Sequence, residues 1–195
     1  MSRSARTARG PVDLRRALID AAARILADEG PGALSVRRVA QEVGASTMVV
    51  YTHLGDKDGM LDAVREHAFA GFAAALAAVD ERDPWANLRA VGHAYRGFAK
   101  ANPAPFKLMF GRATPSPAMQ ATSRRAFEAL TSAIGRVMAA LDKPARAIEP
   151  AAMSVWAATH GIVSLELTGG RPPSDADADA VFEHVLDFIE AGLRG

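Results

Sequence analysis

The chain has 195 residues, 49% of them apolar and 23% charged, with a net charge of +1 and no cysteine. This length buries a sizeable core and this balance fits a soluble globular protein, not a disordered one. The missing cysteines exclude disulfides, thiolate metal sites and cysteine nucleophiles, and no apolar run is long enough to span a membrane.

The N-terminal run "MSRSARTARGPVDLRR" is positively charged without a following apolar core, so a secretory signal is not expected and a cytoplasmic location is. A first helix is expected from about Asp13 to Glu29, with Leu14, Leu18, Ala21, Ile25 and Leu26 forming one apolar stripe. Gly30-Pro31-Gly32 stops it. Ser35 has the chemistry of an N-cap for a short helix from Val36 to Val43, with Val36, Val39, Ala40 and Val43 facing inward. Gly44-Ala45 makes a turn, Ser46 caps again, and a third helix runs to Leu54. Gly55 ends it, Asp56 offers another cap, and a long alanine-rich helix follows from Lys57 to about Val79.

Asp83-Pro84 starts the second part, since proline suits the first helical position. Helices are expected at about 84–101, 103–110, 117–141, 150–168 and 176–191. "ANPAPF", "TPSP" and "KPARAIEP" mark joints, and "TGGRPPS" separates the last two helices. Strand signals are almost absent. The expected fold is all-α with about nine helices: a DNA-binding domain over 1–56, preceded by a basic arm over 1–12, and a helical bundle over 57–195.

A short second and third helix joined at a tight glycine turn have the layout of a helix-turn-helix reader of DNA. Val50 and Leu54 share the face that anchors the third helix. Thr47, Met48, Tyr51 and Thr52 fall on its other side, where hydroxyls can meet base edges and apolar groups can touch thymine methyls. His53 and Lys57 lie just beyond, placed to grip phosphates on one side, and Arg37, at the start of the second helix, could grip them on the other or reach a base. Lys57 could equally satisfy Asp56 and Asp58. Arg3, Arg6 and Arg9 offer a flexible arm. Residues 1–53 hold eight arginines against five carboxylates, whereas the rest of the chain is slightly acidic, so an anionic partner is expected at the front end alone.

The segment "ALSVRRVAQEVGASTMVVYTHLGDKDGML" resembles the DNA-binding segment of tetracycline-repressor-like transcriptional regulators. Their pattern of Tyr-x-His, an apolar residue and then a lysine-bearing loop is met by Tyr51, His53, Leu54 and Lys57. The resemblance implies base contacts by Thr47, Met48 and Tyr51, and backbone contacts by Ser35, Arg37, His53 and Lys57, with Ser46 and Thr52 in the same surface. Gly59 stands where the family usually has a helix-favouring residue, at a cost of up to about 1 kcal/mol against alanine. "WAATHGIVSLELTG" resembles a regulatory subtype named for Trp-His-Gly, here Trp156, His160 and Gly161.

In the second part, Phe98, Phe106, Met109, Phe110, Phe127 and Trp156, with His93 and His160 set among them, suit the lining of a site for a small apolar or aromatic effector. The same stripe fits an ordinary helical core, and spacing alone leaves both readings open. Val155, Ile162, Val163, Val181, Val185, Leu186 and Ile189 supply the apolar surface that family members use to pair two copies. They could instead close the core of a single chain. A homodimer on a pseudo-palindromic operator follows from the resemblance.

No cofactor or metal is expected. The run "DADADA" at 175–180 fails as a calcium loop, having Ala180 and Leu186 where glycine and glutamate belong. No HExxH, phosphate loop, nucleophile elbow or dinucleotide fingerprint occurs, and the spacing of His93, His160 and Glu166 demands no acid–base role, so an enzyme is not expected. The expected function is a ligand-released repressor. A constitutive regulator without an effector, and an all-helical enzyme, are the rival readings.

Overall fold

A computed structural model describes residues 11–111, 117–169 and 177–195, with backbone alone at 11–13, 117 and 118. Among the described residues there are nine α-helices and no strand, so the fold is all-α. In chain order they are α1 (Pro11–Asp28), α2 (Val36–Val43), α3 (Thr47–Leu54), α4 (Lys57–Ala77), α5 (Pro84–Ala101), α6 (Pro103–Met109), α7 (Pro117–Ala140), α8 (Ile148–Thr168) and α9 (Ala178–Arg194). A 3-10 turn over Ala145–Ala147 leads into α8. The arm arginines Arg3, Arg6 and Arg9, the separator "TGGRPPS" apart from Gly169 and Thr168, and the first two residues of "DADADA" lie outside the described residues.

Among the boundaries that differ from expectation, the starts of α8 and α9 have local reasons. Helix α8 begins at Ile148 and not at Pro150. Proline within the first turn removes only an amide that has no intrahelical partner there. Helix α9 starts later, at Ala178, where Asp177 as N-cap accepts from the Asp179 amide at 3.3 Å, and it continues to Arg194.

The structure forms two compact units, the first within Met1–Ala68 and Ala104–Arg112, the second within Phe69–Pro103 and Ala113–Gly195. In the first, α1, α2 and α3 pack on one another. Leu18, Ile25, Leu34, Val39, Val50, Met60 and Val64 are fully buried at their centre, with Ala104 and Leu108 of α6 packed against them. The buried Arg65 of α4 pairs with Asp62 and donates from Nε to the Leu108 carbonyl at 3.0 Å. That carbonyl, at the end of α6, also takes the Gly111 amide at 3.3 Å, so Arg65 adds a second donor to it.

In the second unit α5 packs on α7, α8 and α9, α7 on α8, and α8 on α9. Phe182, Ile134, Val137 and Val163 are fully buried there. Arg96 is buried too, and a charge out of water needs partners. Its Nε and one terminal nitrogen meet the Glu166 carboxylate at 2.9 Å each, Asp179 closes in at 2.7 Å, and the Phe182 ring lies 4.7 Å beneath. The three helices α5, α8 and α9 are thereby tied through one guanidinium.

Candidate nucleic-acid interface

The helix-turn-helix is built from caps. Ser35 Oγ accepts from the Arg38 amide at 3.2 Å, and Ser46 Oγ accepts from the Val49 amide at 3.4 Å, an amide shared with the Ser46 carbonyl at 3.1 Å. Between the helices Gly44 adopts the left-handed conformation, φ 70°, and the next amide, of Ala45, reaches the Ala40 carbonyl at 2.9 Å. A side chain would strain that backbone, which is why glycine holds the turn.

Val50 and Leu54 bury one side of α3. The other side is left outside: Met48 is 71% exposed, Tyr51 55%, and Thr47 and Thr52 are exposed with them. His53 is half-buried in the last turn. Burial of two apolar side chains, and not helix propensity, holds this β-branched segment in shape.

The two neighbouring arginines of α2 differ in kind. Arg38 bridges Glu29 and Glu42 at 2.8 Å each, and those carboxylates hold its guanidinium firmly charged. Arg37 is exposed and makes no ion pair or hydrogen bond among the described residues. Lys57 turns to neither of its aspartate neighbours: its Nζ donates to the Pro31 carbonyl at 2.7 Å, fastening the start of α4 to the loop after α1. Asp56 Oδ1 caps α4 through the Gly59 amide at 3.0 Å. A Cβ on Gly59 would overlap the Leu54 carbonyl, so this glycine is what lets α4 start with only two residues between it and α3.

In the second unit Tyr95, Trp156 and His160 meet. The Tyr95 hydroxyl lies 2.7 Å from His160 Nδ1, Ser164 Oγ lies 3.3 Å from Nε2, and the Trp156 ring is tilted on the imidazole at 5.7 Å. Burial pushes the Tyr95 phenol upward and the His160 imidazole downward, so both are neutral near pH 7. Phe98 is half-buried 5.4 Å from Phe72, and Phe127 is half-buried on α7. His93 is 47% exposed and faces Glu183 at 3.3 Å, away from that group. Phe106, Met109 and Phe110 belong to the first unit, with Phe106 and Phe110 edge to face at 5.0 Å. Val155, Val163, Leu186 and Ile189 are buried within the chain, while Ile162, Val181 and Val185 are half-buried.

Two family models match this chain. One, described as bacterial regulatory proteins of the tetR family, covers residues 18–64; the other, tetracyclin repressor-like C-terminal domain, covers 88–189, more than half of the chain. The chain belongs to the tetracycline-repressor-like family. This family member is 29% identical over 122 residues to the HTH-type transcriptional regulator Rv1816 of Mycobacterium tuberculosis, a match covering 60% of the chain. The chain spans about half, 51%, of that curated relative's length. A solved structure of a protein with unknown function from Rhodococcus sp. RHA1 superposes with a TM-score of 0.85 at 27% identity, covering 98% of this chain and all of that one. The TetR family transcriptional regulator PfmR from Thermus thermophilus superposes at TM-score 0.67 and 26% identity, covering 91% of this chain and 97% of that one.

For this tetracycline-repressor-like chain, three features of these surfaces escaped sequence reasoning. Pairing of Lys57 with a carbonyl 26 residues earlier has no local signal. Arg37 and Arg38 are adjacent in sequence, and only the positions of Glu29 and Glu42 separate the free cation from the tied one. The exposed apolar side chains of α8 and α9 are Met153, Leu165 and Phe188, the last 73% exposed.

Proposed function

We propose that this chain is a sequence-specific DNA-binding transcriptional regulator that acts as a homodimeric repressor. The observation that carries the reading is the outward side of α3, where Thr47, Met48, Tyr51 and Thr52 stand exposed on a helix pinned by Val50 and Leu54. Such a helix enters a major groove with those residues toward base edges, while Ser35, Ser46, Arg37, His53 and Lys57 hold the backbone. Residues 1–56 serve DNA and 57–195 serve sensing and pairing.

Two copies pair through α8 and α9. The half-buried Ile162, Val181 and Val185 and the exposed Met153, Leu165 and Phe188 support this, being apolar surface that the single chain leaves uncovered. Pairing places two α3 helices on a pseudo-palindromic operator in the cytoplasm. A small apolar or aromatic effector binds beside Phe98, Phe127, Trp156 and His160, as a member of the Trp-His-Gly subtype, and shifts the spacing of the reading helices. Its differential affinity for the two spacings supplies a coupling of about 1–3 kcal/mol.

The constitutive alternative draws on one observation: Tyr95, His160 and Ser164 already satisfy one another, leaving less polarity for a ligand. Acid–base chemistry is not adopted, because Glu166 is engaged by Arg96 and His93 by Glu183. Selection of duplexes from a random pool by the full chain tests the reading. Enrichment of two half-sites at groove spacing supports it, and equal retention of all sequences refutes it. A thermal-shift screen of small aromatic molecules, followed by DNA release, separates the inducible regulator from the constitutive one.

A further inference from the structure

Side chains that read guanine and adenine through paired hydrogen bonds are arginine, lysine, asparagine and glutamine. Helix α3, Thr47–Leu54, contains none of them. Its one nitrogen-bearing side chain is His53, half-buried in the last turn. The outward face is therefore stocked with methyls, a thioether and a phenol.

Two of its hydroxyl groups are also committed or placed apart. Thr52 Oγ1 donates to the Met48 carbonyl at 2.9 Å, which spends its proton and leaves its methyl as the distinctive group. Ser46 Oγ, just before the helix, accepts from the Val49 amide. Met48 dominates what remains. It is 71% exposed, unbranched and polarisable, so it adapts to an apolar surface in a way that a branched side chain does not.

On α2, Arg38 is held between Glu29 and Glu42 and cannot swing toward a base without abandoning both. A major groove offers one apolar feature to such a face, the C5 methyl of thymine.

We infer that α3 selects its half-site through thymine methyls, with Met48 as the principal contact and the methyls of Thr47 and Thr52 as secondary ones. The inference rests on the reading of α3 as a DNA-reading helix and specifies what that helix reads. Removing a methyl from a base that Met48 covers forfeits the burial of about one carbon group, about fourfold in affinity.

The experiment uses the full chain and duplexes selected from a random pool, resynthesised with deoxyuridine in place of thymidine one position at a time. Base pairing is unchanged, and only the C5 methyl is lost. The expected result is about a fourfold loss at two or more positions per half-site, with Met48→Ala abolishing the loss at one of them. Met48 is exposed, so the variant keeps its fold, which an unchanged melting temperature verifies. Arg37→Ala serves as the control that weakens binding and leaves the deoxyuridine penalty intact. If a specific site emerges and tolerates deoxyuridine everywhere, the inference is overturned while DNA reading stands. If 7-deazaguanine at the positions facing α3 weakens binding instead, hydrogen bonding to guanine replaces methyl readout. If no sequence is enriched, DNA reading itself falls and this inference with it.

Discussion

Gly59 lies directly against the carbonyl of Leu54, with no room for a Cβ between the end of α3 and the first turn of α4. Propensity alone expects Gly59→Ala to stabilise by up to about 1 kcal/mol. The contact reverses the sign, because a backbone carbonyl cannot rotate away as a side chain can. Gly59→Ala is expected to destabilise by about 1–3 kcal/mol, as overpacking does. Urea denaturation measures it, and a more stable variant contradicts the steric account.

The two arginines of α2 should separate under salt. Arg37→Ala is expected to flatten the dependence of log affinity on log salt by about one unit, the signature of one lost phosphate contact. Arg38→Ala, whose charge Glu29 and Glu42 already balance, should leave the slope nearly unchanged. Equal slopes for the two variants remove Arg37 from the phosphate contacts.

Tyr51 is 55% exposed on α3, so truncation leaves the fold alone. Tyr51→Ala is expected to cost about 1 kcal/mol at the selected site, the worth of one phenolic hydrogen bond. The loss on random duplexes should be much smaller. Equal losses on both, measured by anisotropy titration, reassign the phenol to the backbone.

Arg96 is a buried charge with one half-buried partner, Glu166, and one exposed partner, Asp179. Glu166→Ala strands the guanidinium and is expected to cost about 3–5 kcal/mol. Asp179, 70% exposed, contributes through solvent-screened contact, and Asp179→Ala should cost no more than about 1 kcal/mol. Chemical denaturation of the two variants checks the order.

Stability should also fall as pH drops below about 6.5. Burial lowers the proton affinity of His160 and of His67, where Arg16 and Arg15 add to the effect and Asp20 opposes it. The unfolded chain then binds protons that the folded chain refuses, so acid favours unfolding. The effect is absent well above pH 6.5. Denaturation midpoints at pH 7.5 and 5.5 should differ less in His67→Gln or His160→Gln than in the parent chain.

Local chemistry made much of this protein legible from its residues. Ser35, Ser46 and Asp83 announce helix starts because a short oxygen-bearing side chain can reach an orphaned amide only there. Gly44 announces the turn because left-handed backbone excludes most other residues. Periodicity separated Val50 and Leu54 from Met48 and Tyr51, since burial repeats with the helix. All of these depend on neighbours within about one turn.

Tertiary structure decided what depends on distant partners. Nothing near Lys57 in the chain points to the Pro31 carbonyl, and nothing near Arg96 points to Glu166 and Asp179. Phe106 and Trp156 look alike as aromatic residues of the second part, yet α6 joins the core built by α1–α3 while Trp156 stacks on His160. Apolar periodicity says that a side chain will be covered, and only the packed chain says by what. Gly59 is the sharpest case: its residue type reads as a helix defect, and the nearness of the Leu54 carbonyl turns it into a requirement.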